Sequence, residues 1–214
     1  MTATLRVQTF YQLLQPYSAR RRRKRISQFI NRMGLRPGMR VIDLGGTPKI
    51  WELVPTPLDI TLLNSGQDPC TVRSNGKSHH KFTYVQGDAC DLTAPSNSFD
   101  LVFSNSVIEH VGDSGRQEAF ATNARRLAPR YWIQTPAKWF PIEAHNGMPL
   151  WWFYSEALRE KYLRRWKEKM PEWTEMVAGT RVIEKRSLIT MFPDAKIFVE
   201  RSLGIVKSYT VYRI

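Results

Sequence analysis

The hydrophobic positions switch repeatedly between a helical and a strand-like period. Leu5, Phe10, Leu13, Leu14 and Tyr17 recur at helical spacing, and Ile26, Phe29, Ile30 and Met33 resume it beyond Pro16. Residues 4–33 therefore predict one or two helices broken near Pro16, with Gly34 as the C-cap. Five short apolar runs follow, at 39–44, 58–63, 82–86, 99–103 and 131–134, each of strand length, the last stopped by Pro136. The sequence after the fourth run is helix-like through Leu127, whereas 64–80, rich in Gly, Ser and Asn, reads as a long loop. A basic helix is predicted over 155–170, closed by Pro171. A helix near 187–192 and strands near 195–200 and 206–213 suit a closing antiparallel hairpin.

Strands alternating with helices or loops predict an α/β fold, with a parallel sheet built from right-handed crossovers. No internal repeat and no second-domain boundary is visible. The reading is one domain over 1–214. Basic helices occupy 1–37, a core 38–135, an aromatic and basic insertion 136–185, and a closing helix and hairpin 186–214.

Charge changes this picture. Thirty-two Lys and Arg against nineteen Asp and Glu give a net charge of +13. Residues 1–40 hold no acid, and Arg20–Arg25 is an unbroken run of cations. Such a patch suits an anionic membrane surface or RNA, the bland alternative being a solvated helix face. Two cysteines, Cys70 and Cys90, make neither a disulfide framework nor a metal cluster, so a cytoplasmic protein is expected, peripheral to the membrane if the basic patch docks there.

The chemistry concentrates at strand ends. Val41-Ile42-Asp43-Leu44-Gly45-Gly46-Thr47 is an apolar strand ending in an acid and a glycine turn. Ligands of open parallel sheets bind at such ends, and glycine lets the backbone approach them closely. The turn lacks the G-x-G-x-x-G spacing of a dinucleotide site, and its acid suits a ligand carrying positive charge.

With GDACDL at 87–92 and FDLVFSNSVIEHV at 99–111, the order and spacing of motifs over roughly 38–135 resemble the class I methyltransferase superfamily, especially its small-molecule branch. The resemblance implies a Rossmann-like α/β/α sandwich and S-adenosylmethionine as cofactor. It implies that Asp43, Gly45, Gly46 and Thr47 wrap the amino-acid part of that cofactor. Asn64 would hold the ribose, Asp88 with the amide of Ala89 the adenine, and Ser104, Asn105 and Ser106 would line the cofactor. Two features depart from the pattern. Gly45-Gly46-Thr47-Pro48-Lys49 replaces three spaced glycines, and Asn64 stands where an acid usually accepts both ribose hydroxyls, which implies weaker cofactor binding.

Beside the cofactor lie Glu109-His110 and, after the fifth strand, Glu143-Ala144-His145. Methyl transfer from a sulfonium is an in-line displacement, so the protein mainly orients the acceptor and removes a proton. His145 is the first candidate for that role, His110 the second, with Glu143 in support. Glu109, His110, Glu143 and His145 also resemble the ligands of metal-dependent methyltransferases. Their pattern, however, puts an acid three residues before the Glu, where this chain has Ser106, so no metal is expected.

The chain lacks the Asn/Asp-Pro-Pro-Tyr tetrad of base-amine methylation and the paired cysteines of cytosine-C5 chemistry. The expected activity is methylation of a small molecule, on oxygen in preference to nitrogen, the acceptor being a sugar, glycolipid precursor or secondary metabolite. The alternatives are an RNA methyltransferase using the basic N-terminus, or a non-catalytic basic binding module. No stable protein partner is inferred.

Overall fold

The computed structural model describes residues 3–66 and 78–214; Cys70 and most of the 64–80 loop lie outside them. Helix α1 (Ala3–Met33) leads into β1 (Arg40–Leu44), the short α2 (Pro48–Trp51) and β2 (Asp59–Asn64). Strands β3 (Lys81–Gln86) and β4 (Leu101–Asn105), helix α3 (Ser114–Leu127) and strand β5 (Tyr131–Pro136) follow. Helices α4 (Glu156–Lys167), α5 (Pro171–Gly179) and α6 (Lys185–Met191) then precede β6 (Lys196–Ser202) and β7 (Ile205–Arg213). The seven strands form one sheet in the order β3-β2-β1-β4-β5-β7-β6, parallel from β3 to β5, with β7 and β6 antiparallel.

Strand alternation sorts the side chains onto two faces. Val41, Leu62, Phe103 and Trp132 meet Ile26, Phe29 and Met33 of α1 on one face. Ile42, Leu44, Val102 and Ile133 meet Phe120, Ala124 and Leu188 of α3 and α6 on the other. Because helices cover both faces, the central strands are apolar at nearly every position, the pattern that marked them as strands.

Several boundaries differ from expectation. Helix α1 runs unbroken through Pro16. The proline removes one ladder donor at a cost of about 3 kcal/mol, but Leu, Gln, Ala and Arg on either side are strong helix formers. Gly34 does close the helix, at φ +55°. Strand β4 starts two residues late because Asp100 first pairs with the Arg40 backbone, accepting its N–H through Oδ2 at 2.8 Å. Pro171 opens α5 instead of ending α4, its fixed φ suiting the first helical position. Pro136 lies within β5, at its last residue.

Candidate active site

The strand order reverses between β1 and β4, so the carboxyl ends of these two strands mark the place for a ligand. Asp43 arrives there on the α1 face and is fully buried. Its Oδ2 accepts the Trp51 indole N–H at 2.8 Å, while Oδ1 has no partner among the described residues. Burial without a counter-charge pushes its pKa up to about 7.

The glycine turn is built around this carboxylate. Gly45 sits at φ +78°, and a Cβ there would meet Val107 Cγ2 at 2.6 Å. A Cβ on Gly46 would fall 1.7 Å from Asp43 Oδ2. Asn64 Nδ2 donates to the Gly46 carbonyl at 3.0 Å, clamping the turn from the end of β2. Thr47 is exposed and caps α2 without a side-chain bond.

Gly45, Asn64, Asp88 and Ala89 line one cleft of about 220 Å³, together with His110 and Arg116. Asp88 Oδ1 accepts the Cys90 N–H at 2.9 Å, and Oδ2 pairs with Arg116 at 2.6 Å. The Arg116 hydrogen bond holds the Asp88 carboxyl below its usual range.

The three residues after Phe103 have separate surroundings. Ser104 is fully buried and donates to Leu44 O at 3.0 Å, bracing β1 against β4. Asn105 Oδ1 accepts from Arg25 at 2.7 Å. Ser106, at φ +58°, donates to Gln134 Oε1 at 2.9 Å. Arg25 is therefore not part of a surface patch. It also donates to Gln134 and pairs with Glu200, drawn inward because α1 packs across the sheet face that carries those groups. Arg20, Arg22, Arg23 and Lys24 remain exposed.

Glu109 and His110 do not open a helix as expected. They lie in a 3₁₀ turn, Ile108–His110, and α3 begins later at the Asp113 cap. The turn sends Glu109 inward and His110 to the cleft. Glu109 Oε2 accepts from Thr135 Oγ1 at 3.0 Å, whereas Oε1 is buried with no hydrogen-bond partner among the described residues. Burial pushes this carboxyl up to about 7.

The loop after β5 folds upon Glu143. Its Oε2 accepts the backbone N–H groups of His145 and Asn146, each at 2.6 Å, and its Oε1 holds His145 Nδ1 at 2.7 Å. His145 Nε2 then lies 3.0 Å from His110 Nε2, with the two rings edge to face.

Hydrogen-bond chemistry assigns the protons. The Thr180 hydroxyl donates to Met176 O at 2.9 Å, so its oxygen accepts from His110 Nδ1, 3.3 Å away. His110 Nε2 is thereby the acceptor, and His145 donates from both nitrogens. Burial pushes the His110 pKa down to about 4. Burial also opposes charge on His145, but the Glu143 hydrogen bond and the Glu143 and Glu109 charges outweigh it, and the net shift is upward.

A second cavity, of about 430 Å³, adjoins Thr180 and is walled by Trp151, Trp152, Arg159 and Arg181. Trp151 is buried and stacks on Trp166 in a third apolar cluster, so these rings are structural on their inner side. Trp139 and Phe153 are exposed and pack on each other at 4.9 Å.

Comparisons with known proteins speak to the domain and the fold. Residues 59–132, from β2 into β5, match the family model described as a methyltransferase domain. No curated protein sequence matches. Among solved structures, an S-adenosylmethionine-dependent methyltransferase from Methanosarcina mazei aligns at 13% identity over 83% of this chain and 92% of its own, TM-score 0.50. Phosphoethanolamine N-methyltransferase 2 of Haemonchus contortus, in complex with S-adenosyl-L-methionine, aligns at 16% identity over 77% of this chain and 35% of its own, TM-score 0.51. A Rhodobacter sphaeroides protein described as a zinc-dependent alcohol dehydrogenase aligns at 14% identity over 87% and 86%, TM-score 0.58. At such identities these likenesses speak for the fold alone. The domain match marks residues 59–132 as a methyltransferase domain, and the chain has the class I, Rossmann-like fold of the S-adenosylmethionine-dependent methyltransferases it resembles.

Sequence reasoning missed Arg116, Arg25, Trp51 and Thr180. Trp51 stands one short helix from the glycine turn, a spacing that could have suggested contact. Thr180 lies 70 residues from His110, and nothing local connects them.

Proposed function

We propose that this enzyme methylates a small-molecule acceptor, on oxygen in preference to nitrogen. The observation that carries the reading is the hydrogen-bonded chain Glu143–His145–His110, which ends at the cofactor cleft. The cofactor supplies a methyl group on a sulfonium. Asp43, whose buried Oδ1 beneath the glycine turn has no partner among the described residues, fits a cationic group, and Gly45 and Gly46 leave room for its approach. Thr47 flanks that turn. Asn64, Asp88 and the amide of Ala89 line the remainder of the cleft, while Ser104 and Asn105 of β4 and Ser106 just beyond it support it.

His145, anchored by Glu143, positions the acceptor hydroxyl while it carries its Nε2 proton and takes the acceptor's proton only after that one is lost, with His110 Nε2 beside it. The cavity beside Thr180 is of a size usual for small-molecule pockets, and its mix of Trp and Arg suits an acceptor with an apolar body and an anionic group.

A second observation favours a membrane-borne acceptor over RNA. Exposed Trp139, Phe153 and Leu150 adjoin Phe140, and Lys207 lies within cation–π distance of both Phe140 and Tyr17 of α1. Apolar tips beside the exposed cations Arg20, Arg22, Arg23 and Lys24 make the kind of face that docks on anionic lipid. No helix among the described residues is long and apolar enough to cross a membrane.

The test is methyl transfer from labelled S-adenosylmethionine to a panel of sugars, glycolipid precursors and phenols. The expected product carries the label on oxygen, and His145→Ala lowers the rate by about 10²–10⁴ with cofactor affinity kept. Label found only in RNA, or full activity of His145→Ala, overturns the reading.

A further inference from the structure

We propose that Glu109, His110 and His145 form a binding site for one divalent first-row transition-metal ion. The catalytic use of such an ion rests only on the small-molecule acceptor of the reading above and would replace the imidazole relay, whereas its binding depends on neither. One ligand atom from each of the three residues lies within 4.8 Å of the other two. The two imidazole Nε2 atoms are 3.0 Å apart. Two imidazole nitrogens on a single ion, each at ~2.1 Å, lie ~3.0–3.4 Å apart when the angle between them is right or tetrahedral. The observed pair already has that spacing.

Three further features point the same way. Glu109 is completely buried, yet its Oε1 has no hydrogen-bond partner among the described residues, and a buried unpaired carboxylate oxygen is costly unless something cationic meets it. Each histidine is fixed through its other nitrogen, His145 Nδ1 by the Glu143 carboxylate and His110 Nδ1 by Thr180. Orientation of that kind is characteristic of imidazole ligands to metals. Finally, all three residues stand beyond the carboxyl ends of β4 and β5, where Arg181 N–H bonds the Glu109 carbonyl at 2.7 Å and Thr135 holds the other carboxylate oxygen.

A proton shared between the histidines satisfies their two nitrogens but leaves Glu109 Oε1 without a hydrogen-bond partner among the described residues. A metal ion in the same place satisfies all three ligands. Two imidazoles and one carboxylate favour zinc, iron, cobalt or nickel over magnesium or calcium, which prefer shells of oxygen. Three protein ligands also leave coordination positions open. His110 borders the cofactor cleft, so these positions suit the oxygen of an acceptor. Ser106, where an acid was looked for in the sequence, is engaged with Gln134 and does not enter the cluster.

Chelator-treated full-length protein, without methyl donor or acceptor, would be titrated with Co²⁺ alone. The expected result is one equivalent bound, with the visible absorption bands of nitrogen-ligated Co²⁺ and displacement by Zn²⁺. His110→Asn and His145→Asn should each weaken binding by about 100-fold or more, and Glu143→Gln by about 10–100-fold.

A measurement on the unsubstituted protein avoids any dependence on variant folding. The chain has four histidines, and Zn²⁺ should shift the ring ¹⁵N resonances of His110 and His145 while leaving those of His79 and His80 in place. Absence of stoichiometric binding, binding retained by both His variants, or unshifted His110 and His145 resonances would each overturn the proposal. Loss of the metal site with His145-dependent transfer intact would leave the relay standing. Metal binding in an enzyme indifferent to His145→Ala would leave the site and remove the relay.

Discussion

Arg25, the last cation of the run in α1, pairs with Glu200 of β6 at 3.0 Å, and both side chains are almost out of solvent, at 12% and 8% exposure. The same guanidinium holds Asn105 and Gln134, so one arginine ties the first helix, the ends of β4 and β5, and the hairpin together. Removing one partner of a buried pair leaves the other charged and uncompensated. Arg25→Ala should cost about 3–5 kcal/mol in urea unfolding. Arg25→Met with Glu200→Leu should recover part of that loss, because the stranded charge is gone while Asn105 and Gln134 still lack their Arg25 donor, Gln134 keeping that of Ser106. A loss below about 0.5 kcal/mol for Arg25→Ala, the usual size for surface changes, would show that the pair is open to water.

Gly46→Ala should abolish cofactor binding. The new methyl carbon would stand 1.7 Å from Asp43 Oδ2, and the carboxylate cannot withdraw because Trp51 holds it in the core. Calorimetry with S-adenosylmethionine should show at least about a tenfold loss, equivalent to about 1.4 kcal/mol, and thermal melts a lower Tm. Normal binding by Gly46→Ala would mean that the turn rearranges freely.

The burial of Asp43 makes stability depend on pH. Its carboxyl is raised from 3.8 to about 7, so between these values the folded chain keeps a proton that the unfolded chain releases. Its contribution to stability is complete below pH 3.8 and is lost as the pH rises through about 7. Asp43→Asn should flatten that slope in melts from pH 4 to 8 and leave the cofactor-free protein more stable at pH 8. The same change should weaken S-adenosylmethionine binding by at least about tenfold, since a carboxylate accepts a cationic donor more strongly than an amide does. A steeper slope in the variant would contradict the assignment.

Docking on lipid should require both the apolar tips and the cations. Flotation with anionic vesicles should recover the enzyme at low salt and release it at high salt, where the attraction is screened. Trp139→Ser with Phe153→Ser, or Arg22→Glu with Arg23→Glu, should each reduce recovery several-fold. Equal flotation with neutral vesicles, or binding to RNA instead, would point to a different partner.

Much of the fold could be read along the chain because its cause is local. β1, β2 and β5 announce themselves as apolar runs since both sheet faces are covered, and the closing hairpin follows from two alternating segments around Gly204. Proline was the weak point. Its effect depends on position within a helix, harmless enough inside α1 and favourable at the start of α5, and local sequence does not say which applies. The cleft residues Gly45, Asn64, Asp88 and Ala89 were named through the resemblance of the motifs, and they meet because parallel strands bring their carboxyl ends to one edge.

The sequence by itself determined the α/β class with its parallel core and closing hairpin, the glycine turn and its acid, and the presence of two histidines after β4 and β5. Tertiary structure alone decided what those groups are to one another. That Asp43 lies under Gly46, that Arg25 turns inward, and that His110 and His145 meet with Glu109 beside them all depend on contacts between segments 35–175 residues apart, with Asp43 the local exception. Hydrophobic period records which side of an element is buried. It carries no information on which distant side chain waits there, and the charge, tautomer and ligand capacity of a buried group are set by that neighbour.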